Sequence, residues 1–293
     1  MTTLLITGIS GFLGWNLCQL ARDRYTVLGA YHSQPVSPPG VQAFPLDLTH
    51  FESVQTLVSG LSPDGILHLA ACSKPNFCER NPELSETVNV GATLHLASLA
   101  QQLDIPFVFT STDLVFDGNA APYFENDPVN PINLYGHQKA RAEQGILSRY
   151  PSAAICRMPL MFGLPSPVAK SFIQDFIETL RRDQPLNLFT DEIRTPLSAN
   201  YAAAGLLLAF ERRLSGIWHL GGPDAISRYD FGKLLAAVLG LPTHNLVPGR
   251  QKDFSMAAAR PPNVSSDSRK FYALGFQPPS LEEQLLELRP LLS

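Results

Sequence analysis

Tyr135 and Lys139, four residues apart in Tyr135-Gly136-His137-Gln138-Lys139, form a pairing with evident chemical use. On a helix that spacing puts both side chains on one face, one turn apart. A free phenol titrates near pH 10 and exchanges protons poorly at neutral pH, whereas an ammonium beside it favours the phenolate. A drop of about 3 pH units corresponds to roughly 4 kcal/mol of differential stabilisation. Thr112 lies 23 residues upstream in Ser111-Thr112-Asp113, just after the strand-like Phe107-Val108-Phe109-Thr110. A hydroxyl there can hydrogen-bond a carbonyl and orient it beside the tyrosine for hydride attack. Taken alone, the Tyr-Lys pair would be an ordinary helix surface; its weight comes from the motifs that accompany it.

Foremost among these is Gly8-Ile9-Ser10-Gly11-Phe12-Leu13-Gly14, which follows an N-terminal strand and opens a helix. Gly8 permits a tight turn, Gly11 lets the backbone approach a pyrophosphate, and Gly14 lets helix and strand pack closely. The helix N-terminus adds free N–H groups and a favourable dipole, so the turn, with Ser10, Phe12 and Leu13, predicts a dinucleotide site. Asp47 and Leu48 are candidate adenine contacts, and Ala70 and Ala71 leave room for the adenosine ribose and pyrophosphate. Asn89 supports the same site or a proton path. The second strand runs into Tyr31-His32-Ser33 with no carboxylate, the group that would bind a ribose 2′-hydroxyl and repel a 2′-phosphate. NADP(H) is therefore the preferred cofactor, with NAD(H) also accepted.

The elements that must carry these residues alternate. Leu4 to Thr7, Thr26 to Ala30, Ala43 to Leu46, Ile66 to Ala70, Phe107 to Thr110 and Ala153 to Arg157 read as strands buried on both faces. Phe12 to Arg22 and Glu83 to Gln102 read as helices between them. The expected fold is α/β, a Rossmann-type doubly wound parallel sheet with a smaller C-terminal substrate-binding lobe. Residues 1–157 form the NAD(P)-binding domain and 158–293 the lobe; a stretch at about 195–221, with helix-like Ala199 to Phe210 and strand-like Ile217 to Leu220, returns to the main sheet. In the lobe, Phe172 to Arg182 and Tyr229 to Leu239 read as helices.

Bulk properties narrow the function classes. Apolar residues at 45% and charged residues at 16% suit a chain with a large interior. A net charge of −4 gives no general attraction to nucleic acid or anionic lipid, so an anionic substrate needs local basic residues. The scattered cysteines, Cys18, Cys72, Cys78 and Cys156, form no CxxC pair, and no metal site is expected. With no apolar run of membrane-spanning length and no leader-like opening, the expectation is cytoplasmic.

At these residues the chain resembles the extended short-chain dehydrogenases/reductases, and most closely the dTDP-4-dehydrorhamnose reductase family, over nearly its whole length. The most specific match is Ser111-Thr112-Asp113-Leu114-Val115-Phe116-Asp117-Gly118, joined by Cys78 to Pro82, Asn89, Arg157, Arg260 to Asn263 and Leu274-Gly275. The resemblance implies Thr112, Tyr135 and Lys139 as the active trio, with Lys139 also holding the nicotinamide ribose and Tyr135 protonating the carbonyl oxygen. It implies a small nucleotide-sugar substrate, a 4-keto-6-deoxy sugar such as dTDP-4-dehydrorhamnose, and is compatible with a homodimer. Arg194 and Arg260 are candidate substrate pyrophosphate contacts because guanidinium forks match phosphate oxygens. Leu114 departs from the tyrosine usual after Ser-Thr-Asp, and Asn16 stands where many members carry glutamate. Some members use acidic residues there and near Asp191-Glu192 for a magnesium at a dimer interface, a set incomplete here. Two rival readings are an epimerase or dehydratase with retained NAD, and a non-catalytic regulatory subunit resembling the methionine adenosyltransferase β subunit.

Overall fold

The computed structural model describes residues 1–292. Its centre is a seven-stranded parallel sheet. Six strands come in succession from the first half of the chain: β1 (Thr3–Thr7), β2 (Thr26–Tyr31), β3 (Val41–Pro45), β4 (Gly65–His68), β5 (Phe107–Thr112) and β6 (Ala154–Met158). The seventh, Gly216–His219, returns from the second half and pairs with β6. Across the sheet the order is Gly216–His219, β6, β5, β4, β1, β2, β3. The connections thus run one way from β1 to β3 and the other way from β4 onward, which opens a crevice at the carboxyl ends of β1 and β4.

Both faces of the sheet are covered, which explains why its central strands read as continuous apolar runs. On one face Leu4, Ile6 and Val108 pack with Leu17 and Leu206 from the helices Phe12–Ala21 and Ala199–Glu211. On the other, Leu5, Ile66 and Phe107 pack with Val58, Leu96 and Ile146. Each such side chain contributes about 1.5–3 kcal/mol of burial, an upper value because the unfolded chain already shields part of it. A third apolar cluster, centred on Phe162, Ile173, Leu188, Phe231 and Leu285, lies in the second half of the chain. Short two-stranded ladders and the helices Phe172–Arg181, Arg228–Leu239 and Leu281–Leu292 surround it. No helix among the described residues is long and apolar enough to cross a membrane.

One expected element differs. The single helix read from Glu83 to Gln102 is two α-helical pieces, Pro82–Glu86 and Thr93–Gln102, joined by a π-helical turn over Thr87–Ala92. The widened turn holds Asn89, whose Oδ1 accepts the Cys72 N–H at 2.8 Å while Nδ2 donates to Gln138 Oε1 at 2.8 Å. Those side-chain bonds accompany the departure from a regular ladder.

Candidate active site

The glycine turn forms one wall of a cavity of about 960 Å³ at the carboxyl edge of the sheet. Gly8 has φ +78°, a left-handed conformation, and a Cβ there would stand 2.8 Å from the backbone of Ala70. A Cβ on Gly14 would run into the carbonyl of Gly8, so this glycine sets how closely helix Phe12–Ala21 approaches the turn. Gly11 is the N-cap and supplies no side-chain cap. The helix end therefore meets the cavity with backbone N–H groups and the positive end of its dipole, a setting that favours an anion.

The opposite wall comes from β5 and the helix Leu134–Arg149. Asn133 starts that helix by accepting the Gly136 N–H at 2.9 Å. The buried helix face then carries Tyr135 and Lys139. Lys139 Nζ donates to the Thr110 carbonyl at 2.7 Å and lies 4.2 Å above the Phe109 ring. Thr112 Oγ1 accepts the Leu114 N–H at 3.2 Å and donates to Asp113 Oδ1 at 3.2 Å. Thr112, Tyr135 and Lys139 all line the cavity.

Electrostatics corrects one expectation. The Tyr135 phenol is not lowered by its lysine; burial first, then Asp113 and the Cys78 and Cys72 thiols, hold it well above its ordinary range, with the Thr112 hydroxyl opposing them. Burial also works against the Lys139 ammonium and brings it down to about 7, with Glu143 as the main opposing charge. Asp113 is pushed up to about 6 by burial, against the pull of Arg194. Its Oδ2 has no hydrogen-bond partner among the described residues and stands 3.9 Å from Arg194 Nε.

Most of the other sequence candidates meet at the same cavity. Ser10, Phe12, Leu13, Tyr31, His32, Asp47, Leu48, Ala70 and Ala71 line it, together with Arg194 and Arg260. Two do not. Ser33 is exposed and is not in the lining. Asn89 is fully buried and acts behind the wall, holding the backbone of Cys72, which itself lines the cavity. Arg194 reaches the cavity but is already engaged by the carbonyls of Ile193 at 2.7 Å and Pro261 at 3.1 Å. A carboxylate does stand near the end of the second strand, from the segment just beyond β3: Asp47 Oδ2 lies 3.6 Å from His32 Nε2.

Sequence reasoning missed Lys74, Lys170 and Glu192 in the lining. The available signal for Lys74 was its place just beyond Ala70-Ala71 at a strand's carboxyl end. Lys170 had none, since it belongs to the loop between the short strand Met161–Phe162 and the helix Phe172–Arg181; that loop reaches the glycine turn through Ser166 Oγ to Ser10 O at 3.1 Å and the helix after the turn through Asn16 Nδ2 to Leu164 O at 3.1 Å. The second bond also gives a use to Asn16, because an ionised glutamate could not donate it.

A doubly wound parallel sheet with this glycine turn and a Tyr-Lys helix facing it defines an NAD(P)-dependent oxidoreductase of the extended short-chain dehydrogenase/reductase type. Residues 1–289 match the family model of the RmlD substrate binding domain, and the chain belongs to that family. It is 30% identical to the "Probable low-salt glycan biosynthesis reductase Agl14" of Haloferax volcanii, over 98% of this chain and 97% of that protein. To the methionine adenosyltransferase 2 subunit beta of Xenopus laevis it is 29% identical, over 92% of this chain and 82% of that one. Among solved structures, the dTDP-4-dehydrorhamnose reductase of Bacillus anthracis in complex with NADP superposes with a TM-score of 0.85 at 25% identity, covering 98% and 99% of the two chains.

Proposed function

We propose that this protein reduces the keto group of a nucleotide-linked 4-keto-6-deoxy sugar, dTDP-4-dehydrorhamnose or a close analogue, using NADPH in preference to NADH. The observation that carries the reading is the meeting of Thr112, Tyr135 and Lys139 on one wall of a cavity whose other wall is the glycine turn. The cradle fits a dinucleotide: a Cβ at Gly8 or Gly14 would collide with backbone, and the uncapped helix end suits a pyrophosphate. Charge agrees, since five lysines and arginines line the cavity against three aspartates and glutamates, although the chain as a whole carries −4. In this reading residues 1–157 with about 195–221 bind the cofactor and the rest of 158–293 binds the sugar nucleotide.

When bound, the reduced nicotinamide supplies the hydride. Thr112 orients the substrate carbonyl, and Tyr135 gives its phenolic proton to the oxygen as the carbon gains the hydride, so a ketone becomes an alcohol. A phenol held above its ordinary range is fully protonated at neutral pH, which is the state a donor needs. Lys139 holds the ribose and meets the phenolate left behind. The test is loss of nicotinamide absorbance with dTDP-4-dehydrorhamnose and a panel of other nucleotide 4-ketoses, with NADPH and NADH compared; no turnover of any of them overturns the reading.

The identity to methionine adenosyltransferase β subunits supports a second reading, a regulatory subunit that binds the dinucleotide without using it. A stoichiometric complex with a methionine adenosyltransferase, combined with cofactor binding and no keto-sugar turnover, would select it.

A further inference from the structure

Glu143 is the third charged or phenolic group on the inner face of helix Leu134–Arg149, one turn beyond Lys139 and two beyond Tyr135. It is 3% exposed and its carboxylate is tightly held. Oε1 accepts from the Ser111 hydroxyl and from Arg157 Nε at 3.0 Å, and Oε2 accepts from Arg157 Nη2 at 2.8 Å. Arg157, 4% exposed, is itself fixed by the Phe116 ring at 5.0 Å and by the Glu125 carbonyl, which takes Nη1 at 3.3 Å. A buried ion pair of this kind is a poor device for stability, because apolar residues of the same shape serve as well or better.

Its placement gives it another use. Ser111 stands on β5 between Thr110, whose carbonyl holds Lys139, and Thr112, the hydroxyl facing Tyr135. We propose that Glu143, locked by Arg157, is a positioning residue for the reaction: it places a buried negative charge one helical turn from Lys139, and it ties down the strand end that carries Thr110 and Thr112. The inference rests on the reading of Tyr135 and Lys139 given above. The other titratable neighbours of Lys139 are few. The Cys78 thiol, from helix Pro75–Arg80, adds to the effect of Glu143; His68 of β4 is buried between Thr7 and Thr93, and Lys139 and burial together keep its ring uncharged at neutral pH.

The test is the pH profile of kcat/KM for NADPH and dTDP-4-dehydrorhamnose in Glu143→Gln, which keeps a partner for Ser111 and removes the charge. The alkaline limb, where Lys139 loses its proton, is expected to move down by about 1 to 3 pH units, and turnover at pH 8 to fall by about tenfold or more. Glu143→Gln leaves Arg157 unpaired, so Glu143→Gln/Arg157→Met, which removes both buried charges, is measured beside it and is expected to show the same displacement. An unmoved alkaline limb in a folded variant would make Glu143 a structural strut and overturn the proposal. If the wild type reduces no keto sugar, the pH dependence of NADPH binding gives the same comparison, so failure of the reductase reading stays separate from failure of this one.

Discussion

Lys139 Nζ donates to the carbonyl of Thr110 at 2.7 Å, so the lysine is directed by the strand end rather than by the tyrosine one turn before it. Tyr135 meets the same strand two residues further on, at the Thr112 hydroxyl, so the two side chains have different partners and removing them has separable effects. Tyr135→Phe deletes only the proton donor: turnover falls by about 10²-fold or more while the NADPH dissociation constant changes little. Lys139→Met weakens both. Fluorescence titration with NADPH alongside initial rates checks the split, and equal loss of binding in the two variants would contradict it.

The same lysine gives a signed pH effect on stability. Its folded value of about 7 lies below the unfolded value near 10.4, so between those limits the unfolded chain binds the extra proton and stability rises with pH. The buried thiols Cys18 and Cys156, both pushed up to about 12, act in the opposite direction above about pH 8.5. Comparison with Lys139→Met cancels them. Between pH 7 and 9 the wild type should gain roughly 1 kcal/mol per pH unit over the variant in urea denaturation. A difference that stays flat across that window would place the lysine's proton elsewhere.

Glycine substitutions test the cradle. In Gly14→Ala the new methyl meets the Gly8 carbonyl, backbone that cannot swing aside, so the turn must shift. A loss of about 1–3 kcal/mol is expected, with weakened NADPH binding. Gly60 lies in helix Phe51–Leu61 with nothing within 4 Å of an added Cβ. Gly60→Ala is accordingly expected to stabilise by about 0.5–1 kcal/mol. Thermal melts of both variants should move in opposite directions.

The two candidate substrate arginines are expected to behave differently. Arg260 is only partly buried and binds Asn76 Oδ1 and the Ala258 carbonyl, each at 3.2 Å. Arg260→Ala should therefore raise KM for the nucleotide sugar far more than for NADPH. Arg194 is 3% exposed, and Arg194→Ala leaves the buried Asp113 carboxyl without its ion-pair partner. Its main consequence is destabilisation by about 3–5 kcal/mol, measurable by denaturation without any substrate.

The parallel sheet and the glycine turn were legible in sequence because both rest on local signals: apolar runs buried on two faces, and glycines whose spacing a strand-turn-helix requires. Tyr135 and Lys139 were legible for the same reason, as a one-turn spacing. Signals that need tertiary distance were not. The π-helical turn at Asn89 is accompanied by bonds to Cys72 and Gln138, 17 and 49 residues away, and the loop that brings Lys170 to the cavity is fastened by Ser166 to the glycine turn and by Asn16 to the helix after it. The direction of the tyrosine's shift failed for a related reason, since spacing reveals a neighbour but not the burial that outweighs it.

In the proposed function, cofactor choice is assigned to His32 and Asp47, which both line the cavity. The end of β2 offers Tyr31 and His32 to the cavity but not Ser33, so His32 is the donor proposed for a 2′-phosphate. Asp47 stands 3.6 Å from it, and hydrogen bonds from the Thr49 hydroxyl at 2.7 Å and N–H at 2.9 Å hold its carboxyl below the usual range. A fixed negative charge therefore accompanies the donor and tempers its attraction for phosphate. Both groups remain partly in solvent, where a charge contact is worth about 1 kcal/mol, or roughly a fivefold change in preference. Asp47→Asn should accordingly raise the NADPH to NADH ratio of catalytic efficiencies by about that factor. His32→Ala should lower it by a similar amount. Ser33→Ala should leave it unchanged, and a ratio that responds to Ser33 but not to His32 would reverse the assignment.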